Sequence, residues 1–158
     1  MIRYKQLVTS KIVDRQTEEP IGKILDVIYS DDYKKITYLV IKNKNLIKNK
    51  KLISYEDIGF LYNGQTLYLK NDTIFGDELE VAIKGEFSYI DKEVRLGKEE
   101  CIGYVKDILI NKENGFIEGF IITEGVFEDL LRGRNYMPLF ENTIIKEDCI
   151  YIPDNKFS

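Results

Sequence analysis

Apolar positions in this chain fall in short runs rich in β-branched residues, each cut off by a polar turn. Residues 24–29 form one run, Asp31, Asp32, Tyr33 and Lys34 a turn, and residues 36–41 a second run, which together predict a β-hairpin. Residues 105–110, a turn over 111–115 and residues 117–123 predict another. Its Asn114-Gly115 pair tolerates the positive φ of a tight turn. Shorter strands are predicted over 52–55 and 66–69, with Asn63-Gly64 turning between them, and over 136–139 and 149–152. Little helix is predicted: a single turn over 126–131, stopped at Gly133. Many short strands with turn signals between them describe an all-β barrel or sandwich, and a closed barrel would hide its strand edges.

The two hairpins are copies. Residues 10–41 align without a gap onto 91–122 at an offset of 81, and 9 of the 32 aligned positions are identical. Lys11, Val13, Glu18, Glu19, Ile21, Gly22, Asp26, Ile36 and Ile41 match Lys92, Val94, Glu99, Glu100, Ile102, Gly103, Asp107, Ile117 and Ile122. Further on, Tyr68 and Tyr151 correspond at an offset of 83. The chain is expected as two small all-β domains, residues 1–76 and 77–158, linked through 73–80 with Gly76-Asp77 as the break. Domains of that size bury only ~60% of their unfolded surface, so each is expected to pack against the other or against a further chain. Pro153 should end the last strand and leave 154–158 as a tail.

Composition narrows the chemistry. The 158 residues include no histidine. That removes the usual general base near neutral pH, the usual partner of a serine or cysteine nucleophile and the usual zinc nitrogen ligand. No catalytic residue, metal ligand or cofactor site is assigned, and no enzyme activity is expected. Carboxylate chemistry with magnesium or calcium stays open, without any phosphate loop or EF-hand spacing to support it. Two cysteines, Cys101 and Cys149, are too few for a disulfide framework and read as buried thiols of a cytoplasmic protein. No apolar run reaches the ~18 residues of a membrane helix, and the first eight residues lack a signal-peptide core. The net charge of -4 conceals a split: residues 1–76 carry 13 Lys+Arg against 9 Asp+Glu, residues 77–158 carry 10 against 18. The halves therefore stand at +4 and -8. Either two solvated surfaces have drifted apart, or the copies face different partners, one option being the acidic half of a second molecule.

The pattern glycine, any, apolar, any, aspartate, apolar, followed by a turn and a strongly apolar strand, resembles the PRC-barrel family. It reads Gly22, Lys23, Ile24, Leu25, Asp26, Val27 in the first copy and Gly103, Tyr104, Val105, Lys106, Asp107, Ile108 in the second. Met137, Pro138 and Leu139 are similar to the family's proline-containing strand entry; the first copy departs from it with Ile53, Ser54 and Tyr55. The resemblance implies an all-β chain of two tandem, strongly curved PRC-type β-barrels. It also implies a docking role, since the family includes the cytoplasmic domain of a photosynthetic reaction-centre subunit and a domain of a ribosome maturation factor. The chain lacks the former's hydrophobic anchor, and its first half does not read as the latter's separate N-terminal domain.

Gly22 and Gly103 are read as bends or close backbone approaches, and Asp26 and Asp107 as acceptors for a nearby turn rather than as catalytic carboxylates. Lys42, Lys44, Lys48, Lys50 and Lys51 make the most basic stretch of the chain, interleaved with Asn43, Asn45 and Asn49. It is either a solvated hairpin tip or a surface for a polyanion or a protein partner. No aromatic residue lies among these lysines to stack on bases. Arg132 and Arg134 offer a second, smaller group of cations. Tyr29, Tyr38, Tyr68, Phe120 and Tyr151 are expected to fill or flank the barrels, while some of Phe116, Phe127, Tyr136 and Phe140 are candidates for an exposed patch. The leading expectation is a non-enzymatic interaction module that binds another protein. The alternative is a ribosome- or RNA-associated factor using the lysine stretch.

Overall fold

A computed structural model describes residues 1–43, 50–61, 65–70, 76–77, 87–97, 100–123 and 135–153. The chain divides into two compact units, residues 1–85 with 111–116, and residues 86–110 with 117–158.

In unit 1, β1 (Ile2–Arg3) and the one-turn helix α1 (Tyr4–Val8) precede β2 (Lys11–Val13), β3 (Pro20–Tyr29), β4 (Ile36–Asn43) and β5 (Lys50–Ser54). A 3-10 turn (Tyr55–Asp57) leads to β6 (Ile58–Phe60), β7 (Thr66–Leu69) and β8 (Gly76–Asp77). The sheet runs β6-β7-β2-β3-β4-β5-β8. Among the described residues β2 and β7 pair in parallel, and the other ladders of this sheet are antiparallel. Unit 2 repeats the topology with β9 (Glu93–Leu96), β10 (Glu100–Ile110), β11 (Ile117–Ile122), β12 (Tyr136–Pro138), β13 (Ile144–Ile145) and β14 (Cys149–Ile152), in the order β12-β11-β10-β9-β14-β13. Each unit is thus a curled, half-barrel sheet of strands, as the repeat predicts. Among the described residues no ladder joins β6 to β8.

The curl comes from β-bulges, which bend a strand and increase its twist. In the first hairpin Ile24 faces Ile41 and Asp26 faces Val40, leaving Leu25 extra; Ile28 faces Tyr38 and Tyr29 faces Ile36, leaving Thr37 extra. The second hairpin places Lys106 and Glu118 at the matching positions. At the first bulge of each unit the aspartate takes the N–H of the following residue. Asp26 Oδ1 accepts from Val27 N–H at 2.7 Å, and Asp107 Oδ1 from Ile108 N–H at 2.8 Å. Alternation then sends Ile24, Val27, Leu39 and Ile41 inward, with Val105, Ile108, Phe120 and Ile122 as their counterparts, all buried. Full burial of such a side chain contributes about 1.5–3 kcal/mol.

The ungapped alignment of the copies fails in their first strand. Ile12 lies between Gly22 and Leu67, whereas Val94 lies between Gly103 and Ile150. The structural offset there is 82, one more than in the hairpin, because the chain from Ile12 to Gly22 is one residue longer than that from Val94 to Gly103. Lys92 therefore occupies the place of Ser10, not of Lys11. The N–H of each donates to the carbonyl three residues back, Ser10 to Leu7 and Lys92 to Tyr89. Lys92 is nearly buried, donates from Nζ to the Glu147 carbonyl and lies 4.5 Å from the Phe87 ring centre. That burial lowers its pKa, against the opposing pull of Asp148, Cys149 and Glu147.

Other expectations need correcting. Gly76 and Asp77, expected as a linker break, pair as a strand with Leu52 and Lys51. The first residues hold a helical turn that the apolar pattern did not announce, and the helix expected over 126–131 lies outside the described residues. Cys149 is buried, but Cys101 is exposed, because strand alternation turns Ile102 inward instead. Phe116 (48%) and Tyr38 (37%) are the exposed members of the aromatic set, and Phe120 is its fully buried one. Phe127 lies outside the described residues.

Unit 1 includes the turn 111–116. Gly115 has φ +79, and a Cβ there would sit 2.7 Å from the Ile36 carbonyl oxygen. The Tyr55 hydroxyl donates to the carbonyls of Lys112 (3.0 Å) and Asn111 (3.4 Å). Burial holds the Tyr55 phenol well above its ordinary pKa of 10.0. The folded chain keeps that proton after the unfolded chain has lost it, so this contribution is full below about pH 10 and falls as pH rises further. Tyr55→Phe should flatten the loss of stability between about pH 9 and about pH 11, read from urea midpoints.

Gly103 has φ +151, and a Cβ would meet Thr123 Oγ1 at 3.0 Å; Gly22 has no such φ. Gly103→Ala should destabilise by about 1–3 kcal/mol, and Gly22→Ala by less than about 0.5 kcal/mol, in the same denaturation assay.

Candidate functional site

The ladder of unit 1 sets lysines in one row across four neighbouring strands. Lys11 of β2 faces Lys23 of β3. Lys23 faces Lys42 of β4, and Lys42 faces Lys50 of β5. Residues directly opposite on a ladder share a face of the sheet. Lys11, Lys23 and Lys42 are exposed, while their neighbours Ile12, Ile24 and Ile41 are buried, so the row lies on the outer face. With strands about 4.8 Å apart, four strands span about 14 Å. Thr66 of β7 continues the row beside Lys11. Leu25, the extra residue of the bulge, stands two positions from Lys23 and is 43% exposed.

Like charges directly opposite one another destabilise a sheet by about 0.2–1 kcal/mol. Among the described residues no carboxylate forms an ion pair with Lys11, Lys23 or Lys42. Three ammonium groups therefore stand on the outer face of the curled sheet without a carboxylate paired to them among the described residues. Such an arrangement attracts anions and offers point charges, without the two-pronged geometry that arginine brings to a single phosphate or carboxylate.

In unit 2 the positions equivalent to Lys11, Lys23 and Lys42 hold Glu93, Tyr104 and Thr123. Glu93 faces Tyr104, and Tyr104 meets Thr123, whose Oγ1 accepts from Tyr104 N–H at 2.9 Å. Glu93 is paired with Arg95 at 3.0 Å. Tyr104 is 49% exposed. Copies of one fold thus present a cationic strip on one unit and a tyrosine–threonine strip on the other.

Of the lysine stretch expected from sequence, the structure places Lys42 in this row. The backbone of Lys50 continues it, and Lys51 is half-buried opposite Ile41 and Asp77. Lys44, Lys48, Arg132 and Arg134 lie outside the described residues. Lys11 and Lys23 were missed. Lys23 could have been found by counting the hairpin: residue numbers of partners sum to 65 at Tyr29–Ile36 and again at Lys23–Lys42. Lys11 joins through the β2–β3 pairing, whose register shifts between Ile12 and Val13. Asp26 and Asp107 are not brought to the row as ligands: Asp26 accepts from the Tyr4 hydroxyl at 3.2 Å as well as from its bulge, and Asp107 is buried. Among the described residues no cluster of three His, Cys, Asp or Glu could hold a metal ion, and no helix is long and apolar enough to cross a membrane.

The model of the PRC-barrel domain matches twice, over residues 1–81 and 87–157. The chain belongs to the PRC-barrel domain family. Each match spans one of the two copies, so the PRC barrels stand in tandem. No curated protein matches the sequence. The two PRC barrels differ in this strip at three described positions, with Lys11, Lys23 and Lys42 in one and Glu93, Tyr104 and Thr123 in the other.

Breaking the like-charge row should stabilise unit 1. Lys23→Thr should raise unfolding free energy by about 0.2–1 kcal/mol at low salt. The gain should shrink near 0.5 M NaCl, where screening acts within about 4–5 Å. Urea denaturation at both salt concentrations checks it.

Proposed function

We propose that this tandem PRC-barrel chain is a non-enzymatic docking module of the cytoplasm. Its first barrel binds an acidic protein surface through the row Lys11, Lys23 and Lys42. The row carries the reading: three exposed cations held at ladder spacing on a rigid sheet, replaced in the second barrel by residues of other chemistry. Lysines fixed on strands lose less freedom on binding than lysines on a loose tip, so a partner meets a surface already arranged. Free Cys101, exposed, suits a reducing compartment.

A second reading, an RNA- or ribosome-associated factor, draws on the same row. Cations at regular spacing also suit a phosphate backbone, and the row extends the basic stretch of residues 42–51 toward Lys11. Against it stand the lack of an aromatic among these lysines and the -8 charge of residues 77–158.

Titration with poly-glutamate and with bulk RNA over a salt series separates the readings. Poly-glutamate should bind, and Lys23→Glu with Lys42→Glu should weaken it at least about tenfold. RNA bound through three lysines would show a log–log salt slope near about -2. RNA binding with that slope and no poly-glutamate binding would put the second reading first. If neither polymer binds, both readings fail.

A further inference from the structure

We propose that the acidic surface taken by the lysine row is the second barrel of another copy of this chain, an inference that rests on the docking reading above. Charge complementarity within one sequence is the first support. Residues 1–76 stand at +4 and residues 77–158 at -8, although both encode the same fold. The second support is where the described carboxylates lie. In unit 2, Glu141, Glu147 and Asp148 are all exposed and fall within eight residues around β13, two of them adjacent in the β13–β14 turn. The nearby Lys146 places its ammonium 5.0 Å from the Tyr151 ring centre.

The two surfaces also match in their apolar content. Ile144, between those carboxylates, is 53% exposed, and Leu25 beside the lysine row is 43% exposed. Each surface therefore carries one exposed aliphatic side chain among charges, the pairing of apolar centre and polar rim that interfaces use. At a distance two copies repel as bodies of net charge -4. Attraction acts only when the row of one approaches the acidic barrel of the other within about 10 Å at 0.1 M salt. The charge pattern thus sets the row of one copy against the acidic barrel of another. Where two copies make that contact reciprocally the pair closes as a two-fold dimer; where they make it once, a free row and a free acidic barrel remain and association grows with concentration.

Sedimentation velocity on the full chain tests this. At low salt the weight-average mass should climb above the 18.5 kDa of one chain as concentration rises, and return to it in high salt. Lys23→Glu with Lys42→Glu should stay at one-chain mass, as should Glu147→Lys with Asp148→Lys. Mixed together, the two variants should form a species that stops at two chains, since only one complementary contact survives between them. Melting curves like the wild type's establish that both variants are folded. A wild-type chain that stays monomeric at low salt overturns the proposal, as does association that survives the lysine variant or a mixture that forms no pair. Should the monomeric wild type still bind poly-glutamate through Lys23 and Lys42, the docking reading stands and only the self-association falls; loss of that binding too would remove both.

Discussion

Two β-bulges on opposite strands of the long hairpin govern the rest of each barrel. An inserted residue reverses which face every later side chain takes, because strand side chains alternate with period two. A single bulge would therefore turn half of the hairpin's core outward. Here Thr37 is inserted in β4 and Leu25 in β3, so the register lost at the first is recovered at the second. The strands bend twice, and Ile24 still faces Ile41 as Tyr29 faces Ile36. Unit 2 repeats the device with Glu118 and Lys106. The matched aspartates belong to it. A bulge interrupts the ladder, and in both units the carboxylate accepts the N–H of the residue that follows it. An aspartate kept at the same place in both copies is accounted for by the backbone.

This explains why the sequence read well in some places and poorly in others. The hairpins and their turns were legible because apolar runs and turn residues report local structure. The family resemblance was legible because the aspartate sits at the hairpin bulge of both copies, and the glycine at a second register shift, against the first strand. The first strand of each copy was misaligned because three residues carry almost no periodicity, and identities at Lys11/Lys92 and Val13/Val94 outweighed a one-residue loop difference. The structure pairs Ser10 with Lys92 through the same backbone bond to Leu7 or Tyr89. Burial then separates them: Ser10 donates to the Gln6 carbonyl at 2.7 Å, and Lys92 reaches the Glu147 carbonyl. The candidate site was half legible. Lysines 42–51 stood out as a run, but a run along the chain says nothing of its neighbours across the sheet.

Unit 1 is discontinuous in sequence, and that has a physical basis. The turn 111–116 closes on itself, with Gly115 N–H donating to the Asn111 carbonyl at 2.8 Å. Its Gly115 carbonyl accepts from Ile36 N–H at 2.9 Å, and its carbonyls at 111 and 112 accept from the buried Tyr55 hydroxyl. A buried hydroxyl without acceptors costs about 1–3 kcal/mol. The 3-10 turn holding Tyr55 thus depends on residues more than fifty positions later in the chain. Duplication supplied a turn at this point, and Gly115 is the residue that lets its backbone approach Ile36 so closely.

The lysine row is placed by the same constraint. Lys23 and Lys42 stand on the far side of both bulges from the hairpin turn, so they face each other only because the bulges cancel. A core needs that cancellation; it does not need lysine there. The second barrel keeps the bulges and the buried ladder yet carries tyrosine and threonine at those positions. The fold therefore tolerates uncharged residues at the row, and the first barrel holds three exposed like charges at a cost in stability of about 0.2–1 kcal/mol per opposed pair. An arrangement that the fold does not require and that weakens it calls for a compensating interaction. An anionic partner would turn the repulsion into attraction, and it would tell the barrels apart at three register positions, lysine in the first and glutamate, tyrosine and threonine in the second.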